Sequence, residues 1–186
     1  METPAKKRVT LYDKTFEVMI LYEELDRHIQ KVAERINRDY ADCDTPPIML
    51  GVLNGSFMFM ADLLKKLDFG CEVQFIKMSS YDGASSTGKV CELIGLNGSI
   101  KGRHVVVVED IVDTGGSIEH MMKLLAAEGV ASAAVATMFF KPDSYSRDYE
   151  IKYPVMNIGN EFIVGYGLDY DQLGRNLKDI YVIVDE

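Results

Sequence analysis

Three acids and a small polar turn lie close together in the middle of the chain. Glu109, Asp110 and Asp113 all fall within the run VVVVEDIVDTGGS at residues 105–117. Small residues at the start of a helix leave backbone N–H groups open to an anion, and the helix dipole adds to the attraction. Glycines let the backbone come close to a phosphate, and hydroxyl groups can donate to its oxygens. The predicted phosphate-binding turn consists of Thr114, Gly115, Gly116 and Ser117.

Three carboxylates beside a phosphate site need a further ligand, because alone they would repel the phosphate. The adjacent pair Glu109 and Asp110 can accept hydrogen bonds from a vicinal diol, which is what a ribose presents. The third carboxylate, Asp113, can act as a base or meet a bound cation. The ordinary alternative is a strand end with capping acids and a glycine-rich turn. That alternative accounts for either half alone, but poorly for both halves together behind four consecutive valines.

Other phosphate and nucleotide motifs fail on spacing. The glycines at 51 and 55 are followed by Ser56 rather than by a lysine, so the chain has no G-x-x-x-x-G-K-[ST] loop. The glycines at 165 and 167 lack the third glycine of a dinucleotide fingerprint. Two residues lie between Asp110 and Asp113, whereas phosphatases with an aspartyl nucleophile need two aspartates with a single residue between them.

The surrounding elements are typical of an α/β protein. Apolar residues recur at helical spacing from Leu21 to Tyr40, which predicts an amphipathic helix after the β-tolerant stretch 9–20. Ser56 is expected to cap a second helix over 57–67, and a third helix should end at Gly129. The predicted strands are 48–53, 71–78, 102–108, 130–140, 162–168 and 180–184. Such strands, alternating with helices, imply a parallel sheet with its ligand site outside the carboxyl ends of the strands.

Composition and charge narrow the class further. The 186 residues suffice for one good hydrophobic core, and the chain shows neither repeats nor a linker, so a single domain over 1–186 is expected. Acids outnumber bases 29 to 20, and a net charge of -9 argues against nucleic acid and anionic membranes as partners. The sequence lacks a signal-peptide pattern and any apolar run of the ~20 residues that a membrane helix needs, so a cytoplasmic location is expected.

These motifs together resemble the type I phosphoribosyltransferases, and among them the hypoxanthine(-guanine) phosphoribosyltransferases. The run 105–117 looks like their phosphoribosyl-pyrophosphate signature, and 51–64 is similar to their pyrophosphate loop and the helix that follows it. The likeness extends over residues 48–184 in matching order. It implies a central parallel sheet flanked by helices, with a small hood over the carboxyl ends of the strands.

The resemblance also implies roles for the sugar and phosphate residues. Glu109 and Asp110 would hold the ribose hydroxyls, while Asp113 would take the proton from the purine. Residues 114–117 would wrap the 5'-phosphate. The pyrophosphate would be received by Leu53, Asn54, Gly55 and Arg175, in a loop that in this family can contain a cis non-proline peptide.

The purine side of the site is implied in the same way. Lys141 would donate to the 6-oxo group, Phe162 would stack on the base, and Ile163 would read it through the backbone. Asp169, in the same segment, would ligate magnesium, with Glu109 and Asp110 as further candidate ligands. Ser80 and Tyr81 would belong to a flexible loop, predicted over 79–89, that closes over the site.

Charge supports the magnesium ion independently of the resemblance. Four acids surround a highly anionic substrate, with only Lys141 and Arg175 as fixed cations, and hard oxygen ligands favour Mg2+. The implied reaction is Mg2+-dependent transfer of the 5-phosphoribosyl group from phosphoribosyl pyrophosphate to hypoxanthine, and also to guanine, in purine salvage. The products would be IMP or GMP and pyrophosphate. Relatives commonly form dimers or tetramers, so a homo-oligomer is expected.

Two departures and two alternatives accompany this interpretation. Many relatives have lysine at the position of Asn54, and some have lysine or asparagine at that of Gly116; neither change removes a catalytic group. The first alternative is a phosphoribosyltransferase for another base, such as xanthine or guanine alone. The three-donor ammonium of Lys141 suits a 6-oxopurine rather than adenine, but it does not rank hypoxanthine, guanine and xanthine. The second alternative is a regulator that binds nucleic acid, which the net charge of -9 and the retained Asp113 disfavour.

Overall fold

The computed structural model describes residues 7–79, 91–94 and 98–184, and within these the side chains at 78–79 and 91–94 are not described. The predicted Ser80 and Tyr81 lie outside the described residues. Along the chain the elements are β1 (Arg8–Leu11), β2 (Lys14–Ile20), α1 (Tyr22–Tyr40), β3 (Ile48–Val52), α2 (Phe57–Leu64), β4 (Glu72–Ser79), β5 (Cys91–Ile94), β6 (His104–Val112), α3 (Gly116–Ala127), β7 (Ser132–Phe140), β8 (Tyr153–Asn157), β9 (Ile163–Val164) and β10 (Ile180–Val184).

The larger of two sheets confirms the predicted parallel architecture. Its strands lie in the order β5-β4-β3-β6-β7-β8. Every neighbouring pair is parallel except β4 and β5, which pair antiparallel at one edge. The strand β6 therefore lies inside the sheet, between β3 and β7, and its carboxyl end opens at the edge where parallel α/β sheets bind ligands.

The four valines of β6 explain why this strand lacks polar alternation. All four are fully buried. Successive side chains of a strand point to opposite faces, so Val106 and Val108 join the apolar cluster under α1 and α2. Val105 and Val107 join the cluster under α3 on the other face. A strand covered on both faces needs apolar residues at consecutive positions, which is what the sequence pattern indicated.

The helices confirm the predicted periodicity with corrections at their ends. The buried side of α1 consists of Leu25, Ile29, Val32, Ala33, Ile36 and Tyr40. Leu21, counted with them in the pattern, precedes the helix and is 53% exposed. Ser56 occupies the predicted N-cap position of α2, but its hydroxyl makes no capping hydrogen bond. The Ser56 backbone is helical, and the hydroxyl donates back to the Val52 carbonyl at 2.6 Å. The helix ends at Leu64 rather than Leu67 and continues as tight turns.

The second sheet is antiparallel, with the order β1-β2-β10-β9, and we call it the hood. The strand predicted over 162–168 is only Ile163–Val164, because Gly165 and Gly167 take positive φ values of 101° and 102° and turn the chain. The stretch 9–20 forms a hairpin of two strands. β5 and β8 were not predicted; β8 is short and contains Pro154, which suits an edge strand. Among the described residues, no helix is long and apolar enough to span a membrane.

Candidate active site

The turn after β6 forms a small cavity at the start of α3. Gly115, the residue that precedes the helix, has φ of 84°, and a Cβ there would overlap the ring of Tyr145. The cavity measures about 220 Å³. Its lining consists of Glu109, Ile111, Val112, Asp113, Thr114, Gly115, Gly116, Ser117 and Ile118. The structure thus brings the predicted turn, Thr114 to Ser117, together with two of the three predicted acids around one concave space.

The adjacent acids Glu109 and Asp110 face different neighbours. Glu109 lines the cavity and is 7% exposed, whereas the Asp110 carboxylate packs directly on Gly55. Burial, and then the charge of Asp110, hold the pKa of Glu109 well above its ordinary value. Burial also raises the pKa of Asp110, against a hydrogen bond of 2.7 Å from the backbone N–H of Ile111. Two carboxyl groups so deeply placed gain from neutral donors such as hydroxyl groups.

The third acid, Asp113, is paired with the lysine predicted to bind the purine. Lys141 follows β7, is nearly buried, and places its Nζ 3.3 Å from Asp113 Oδ2. The same Nζ donates to the carbonyl oxygen of Glu161 at 3.3 Å. Parallel pairing of β6 and β7 brings their carboxyl ends side by side, which is why two residues 28 positions apart meet. An acid and a cation thus stand beside the cavity, within reach of one ligand.

The loop at residues 53–55, predicted to receive pyrophosphate, follows β3, the neighbour of β6. Its Leu53–Asn54 peptide bond is cis. Gly55 is in close contact on two sides, since a Cβ there would overlap the Asp110 carboxylate and a Cβ on Gly167 would overlap the Gly55 carbonyl oxygen. The loop is therefore held between the central strand and the hood, and only glycine fits at either contact.

The segment after β9 carries an ion pair close to this loop. Arg175 Nη2 lies 2.7 Å from Asp169 Oδ1, and Arg175 Nη1 donates to the Gly167 carbonyl at 2.8 Å. The charges of Arg175 and Asp169 both act on the pKa of Asp110, the first lowering it and the second raising it. The predicted ligands Asp169 and Asp110 therefore lie within electrostatic range of each other, next to the loop at residues 53–55.

The three predicted metal ligands do not form one cluster of acids. Within the described ranges, no group of three or more His, Cys, Asp or Glu side chains is arranged to hold a metal ion. Mg2+ in phosphate-binding sites keeps several waters and uses one or two protein carboxylates together with phosphate oxygens. Asp169, half-buried beside the loop, fits such a shared site.

Phe162 and Ile163, two of the residues predicted to bind the purine, lie at the edge of the hood. Phe162 is 47% exposed, and its ring meets Tyr170 edge-on at 6.0 Å between centroids. Ile163 is buried and pairs with Val182. An aromatic side chain that leaves nearly half of its surface open offers a face to a planar ligand.

Sequence reasoning missed three residues that shape the site. The Tyr145 ring packs on Gly115 and its hydroxyl donates to the Tyr149 carbonyl at 2.6 Å. Arg147 Nε lies 2.8 Å from Glu119 Oε2 in the first turn of α3. Asp62, on α2, accepts a hydrogen bond of 2.7 Å from the hydroxyl of Tyr166, in the turn after β9. For Tyr145 and Arg147, the only indication in the sequence was that they follow the end of a predicted strand. For Asp62, the local sequence pattern gave no indication.

The architecture defines an α/β protein whose candidate site lies at the carboxyl ends of a parallel sheet. Comparisons with known proteins identify its family. The family model described as phosphoribosyl transferase domain matches residues 21–171. The hypoxanthine-guanine phosphoribosyltransferase of Streptococcus pyogenes is 40% identical over 170 residues, covering 90% of this chain and 93% of the relative. That of Staphylococcus epidermidis is 40% identical over 164 residues, covering 88% and 90%.

Solved structures agree with these relatives. A hypoxanthine phosphoribosyl transferase of Trypanosoma cruzi superposes with a TM-score of 0.85 at 34% identity, covering 95% of both chains. A hypoxanthine phosphoribosyltransferase of Staphylococcus aureus gives 0.83 at 36% identity, covering 90% of this chain and 91% of the other. The chain therefore belongs to the phosphoribosyl transferase domain family. It is a phosphoribosyltransferase, an enzyme of the pentosyltransferase class.

Proposed function

We propose that this enzyme transfers the 5-phosphoribosyl group from phosphoribosyl pyrophosphate to hypoxanthine and to guanine, forming IMP or GMP and releasing pyrophosphate in purine salvage. The observation that carries the proposal is the pairing of Asp113 with Lys141 beside the cavity at the start of α3. The glycine turn 114–117, a carboxylate that could act as a base and a cation lie around one space. The names of the relatives point to the same substrates.

The sugar phosphate would bind with its 5'-phosphate in the turn 114–117. Gly116 begins α3, so the first backbone N–H groups of that helix are available to phosphate oxygens. Thr114 and Ser117 add hydroxyl donors. Glu109 lies in the same cavity, where its carboxyl group would receive the ribose hydroxyls, with Asp110 as the second acceptor.

Asp113 and Lys141 would act together on the purine. When a base enters, Lys141 would turn its Nζ from Asp113 to the 6-oxo group and offset the charge that builds on the ring. The Asp113 carboxylate, released from that pair, would accept the proton of the imidazole nitrogen as the bond to the anomeric carbon forms. Phe162 would stack on the ring with its exposed face.

The leaving pyrophosphate would lie between the loop at residues 53–55 and Arg175. Backbone N–H groups of that loop would receive its oxygens, and Arg175 would donate from the hood side. Asp169 would hold a Mg2+ ion shared with the pyrophosphate, with Asp110 nearby. When bound there, Mg2+ supplies charge neutralisation of the leaving group. Because Asn54 stands where many relatives have lysine, the loop would bind pyrophosphate through backbone N–H groups rather than through a lysine ammonium.

We further propose that the chain acts as a single domain and as a homo-oligomer, in the cytoplasm, without nucleic acid or membrane partners. The oligomer is supported by analogy, since work on the Trypanosoma cruzi relative concerns its oligomeric state. The apolar cluster that joins α1 and α2 to hood residues such as Ile163 and Tyr166 supports the single domain. The net charge of -9 supports the exclusion of nucleic acid.

A panel assay tests the proposed function. Purified enzyme is incubated with phosphoribosyl pyrophosphate, Mg2+ and one of hypoxanthine, guanine, xanthine or adenine, and the nucleotide product is quantified by chromatography. We expect nucleotide from hypoxanthine and guanine and none from adenine, because the ammonium of Lys141 gains nothing from a 6-amino group. Nucleotide from xanthine alone would correct the substrate, and the absence of nucleotide from all four bases would refute the proposal.

A further inference from the structure

One carboxylate outside the candidate site joins three elements of the fold. Asp62 on α2 accepts a hydrogen bond of 2.7 Å from the hydroxyl of Tyr166 in the hood. The hydroxyl of Tyr22, at the start of α1, donates to the same oxygen at 3.2 Å. Lys65 Nζ lies 2.8 Å from the other oxygen. In the described part of the chain, the donors to this acid come from the start of α1, the end of α2 and the turn after β9.

The Tyr166 end of this network is the turn that meets the pyrophosphate loop. Tyr166 is buried, with a positive φ of 48°, and stands between Gly165 and Gly167. Gly167 touches the carbonyl of Gly55, and its own carbonyl accepts the hydrogen bond from Arg175. Gly167 N–H also donates to the Arg175 carbonyl at 3.0 Å. A shift of Tyr166 would therefore move the glycine that connects Arg175 to the loop.

The Asp62 end is fixed to the same loop from the other side. α2 begins two residues after Gly55, and the Ser56 hydroxyl bonds back to Val52 at the end of β3. Asp62 therefore travels with the loop, while Tyr166 travels with Arg175. The hydrogen bond between them therefore joins the helix that follows the loop to the turn that holds Arg175.

The ionisation of these groups suits a permanent connection. Burial alone would raise the pKa of Asp62, but hydrogen bonds from Lys65 and Tyr166 hold it below its ordinary value. Burial and the neighbouring Asp62 raise the pKa of Tyr166. The acceptor is therefore charged and the phenol protonated at neutral pH, which is the stronger kind of hydrogen bond.

We infer that Asp62 is a positioning residue for the pyrophosphate subsite: through Tyr166 it fixes the distance between the loop at residues 53–55 and Arg175. The inference rests on the proposed function, because it assumes that pyrophosphate binds between them. Its effect should fall mainly on this part of the site. In the described part of the chain, Asp62, Tyr22, Tyr166 and Lys65 make no hydrogen bond or ion pair with the turn 114–117.

The test compares a ligand proposed to bind between the loop at residues 53–55 and Arg175 with a ligand whose phosphate and ribose are proposed to bind at residues 109–117. Dissociation constants of Mg2+-pyrophosphate and of the nucleotide product without pyrophosphate (IMP, with GMP as the second case) are measured by calorimetry for wild type, Tyr166→Phe and Asp62→Ala. We expect each variant to bind pyrophosphate about tenfold more weakly, the scale of one lost hydrogen bond to a charged group. Binding of the nucleotide is expected to change less than twofold.

Three controls separate positioning from general damage. Asp62→Asn keeps an acceptor oxygen for Tyr166 and should restore most of the affinity, and Lys65→Met should bind both ligands as wild type does. The double variant Tyr166→Phe with Asp62→Ala should be no weaker than either single variant, because both remove the same bond. If the single variants lose affinity for both ligands equally, or retain full affinity for pyrophosphate, the inference is overturned. If wild type binds neither ligand, the proposed function itself fails.

Discussion

The two halves of the candidate site are built in opposite ways. The proposed phosphate half is one continuous stretch, Glu109 to Ser117, carried by a strand that both apolar clusters enclose. The proposed pyrophosphate and base half collects Gly55, Lys141, Phe162 and Arg175 from separate elements, where a hydrogen bond, an ion pair, glycine contacts and a ring contact hold them. The first half is positioned by packing of the core. The second is positioned by a few contacts between the hood and the main sheet, so single substitutions should shift it more easily.

The largest effect is expected where the two halves meet at the reacting atoms. Asp113→Asn removes the proposed base but keeps the shape of the side chain and its contact distance to Lys141. We expect kcat to fall by ~10²-fold or more, the usual scale for a general base, with little change in the dissociation constant of phosphoribosyl pyrophosphate. Steady-state kinetics and calorimetry measure the two quantities. The exposed Asp42→Asn is the matched control, and an unchanged kcat in Asp113→Asn would remove this residue from the role.

A smaller effect is expected from loosening the hood alone. Gly167→Ala places a methyl group against the Gly55 carbonyl at a φ of 102°, so the hood must move away from the loop. We predict at least about a tenfold rise in the KM for phosphoribosyl pyrophosphate, since misplacement by about 1 Å can cost more than that. Gly70→Ala, where an added Cβ meets nothing within 4 Å, is the matched control. Equal KM values for the two variants would mean that the hood contact does not position the loop.

The sequence predicted the two halves unequally, for the same physical reason. The strand, acids, turn and helix around 105–125 are local in sequence, so periodicity and spacing predicted their order, although β6 continues to Val112, beyond the predicted end at 108. The hood depends on antiparallel pairing between β2 and β10, about 160 residues apart, and no local pattern encodes that pairing. The glycines at 165 and 167 were considered only as an incomplete dinucleotide fingerprint, and the strand predicted across them extends only over Ile163–Val164. Ser56 stands at the expected N-cap position, but it makes no side-chain cap, because helical backbone at that residue directs its hydroxyl to Val52.

The phosphate half should show a conflict between stability and function at Glu109. The raised pKa of Glu109 means that the folded state resists ionisation of this group. Below the unfolded-state pKa of about 4.3 the group is protonated in both states and does not change the free energy of unfolding. As the pH rises above that value, the unfolded state gains from ionising and the fold loses stability, until the raised folded pKa is passed. Glu109→Gln should therefore stabilise the enzyme in urea unfolding at pH 8 more than at pH 5, while weakening the binding of ribose phosphates. A stability gain that does not grow with pH would contradict this account.

The smallest effect is expected at a surface pair close to the same half. Lys123 and Glu119 lie 2.6 Å apart on the exposed side of α3, one turn apart. Lys123→Ala should leave the midpoint of thermal unfolding nearly unchanged, because a solvent-exposed ion pair within one helix contributes little to stability, and it should leave kcat/KM unchanged. Thermal unfolding and steady-state assays measure both. A large kinetic effect would show that charge outside the cavity contributes to phosphate binding.

The central claim is that the turn 114–117, after β6, binds the 5'-phosphate while Glu109 and Asp110 bind the ribose hydroxyls. The most direct measurement is a crystal structure of the enzyme with phosphoribosyl pyrophosphate and Mg2+. The account predicts electron density for the 5'-phosphate against the backbone of residues 114–117, the ribose hydroxyls at Glu109 and Asp110, and the pyrophosphate between Gly55 and Arg175. Density for the ligand elsewhere, with this turn empty, would contradict it.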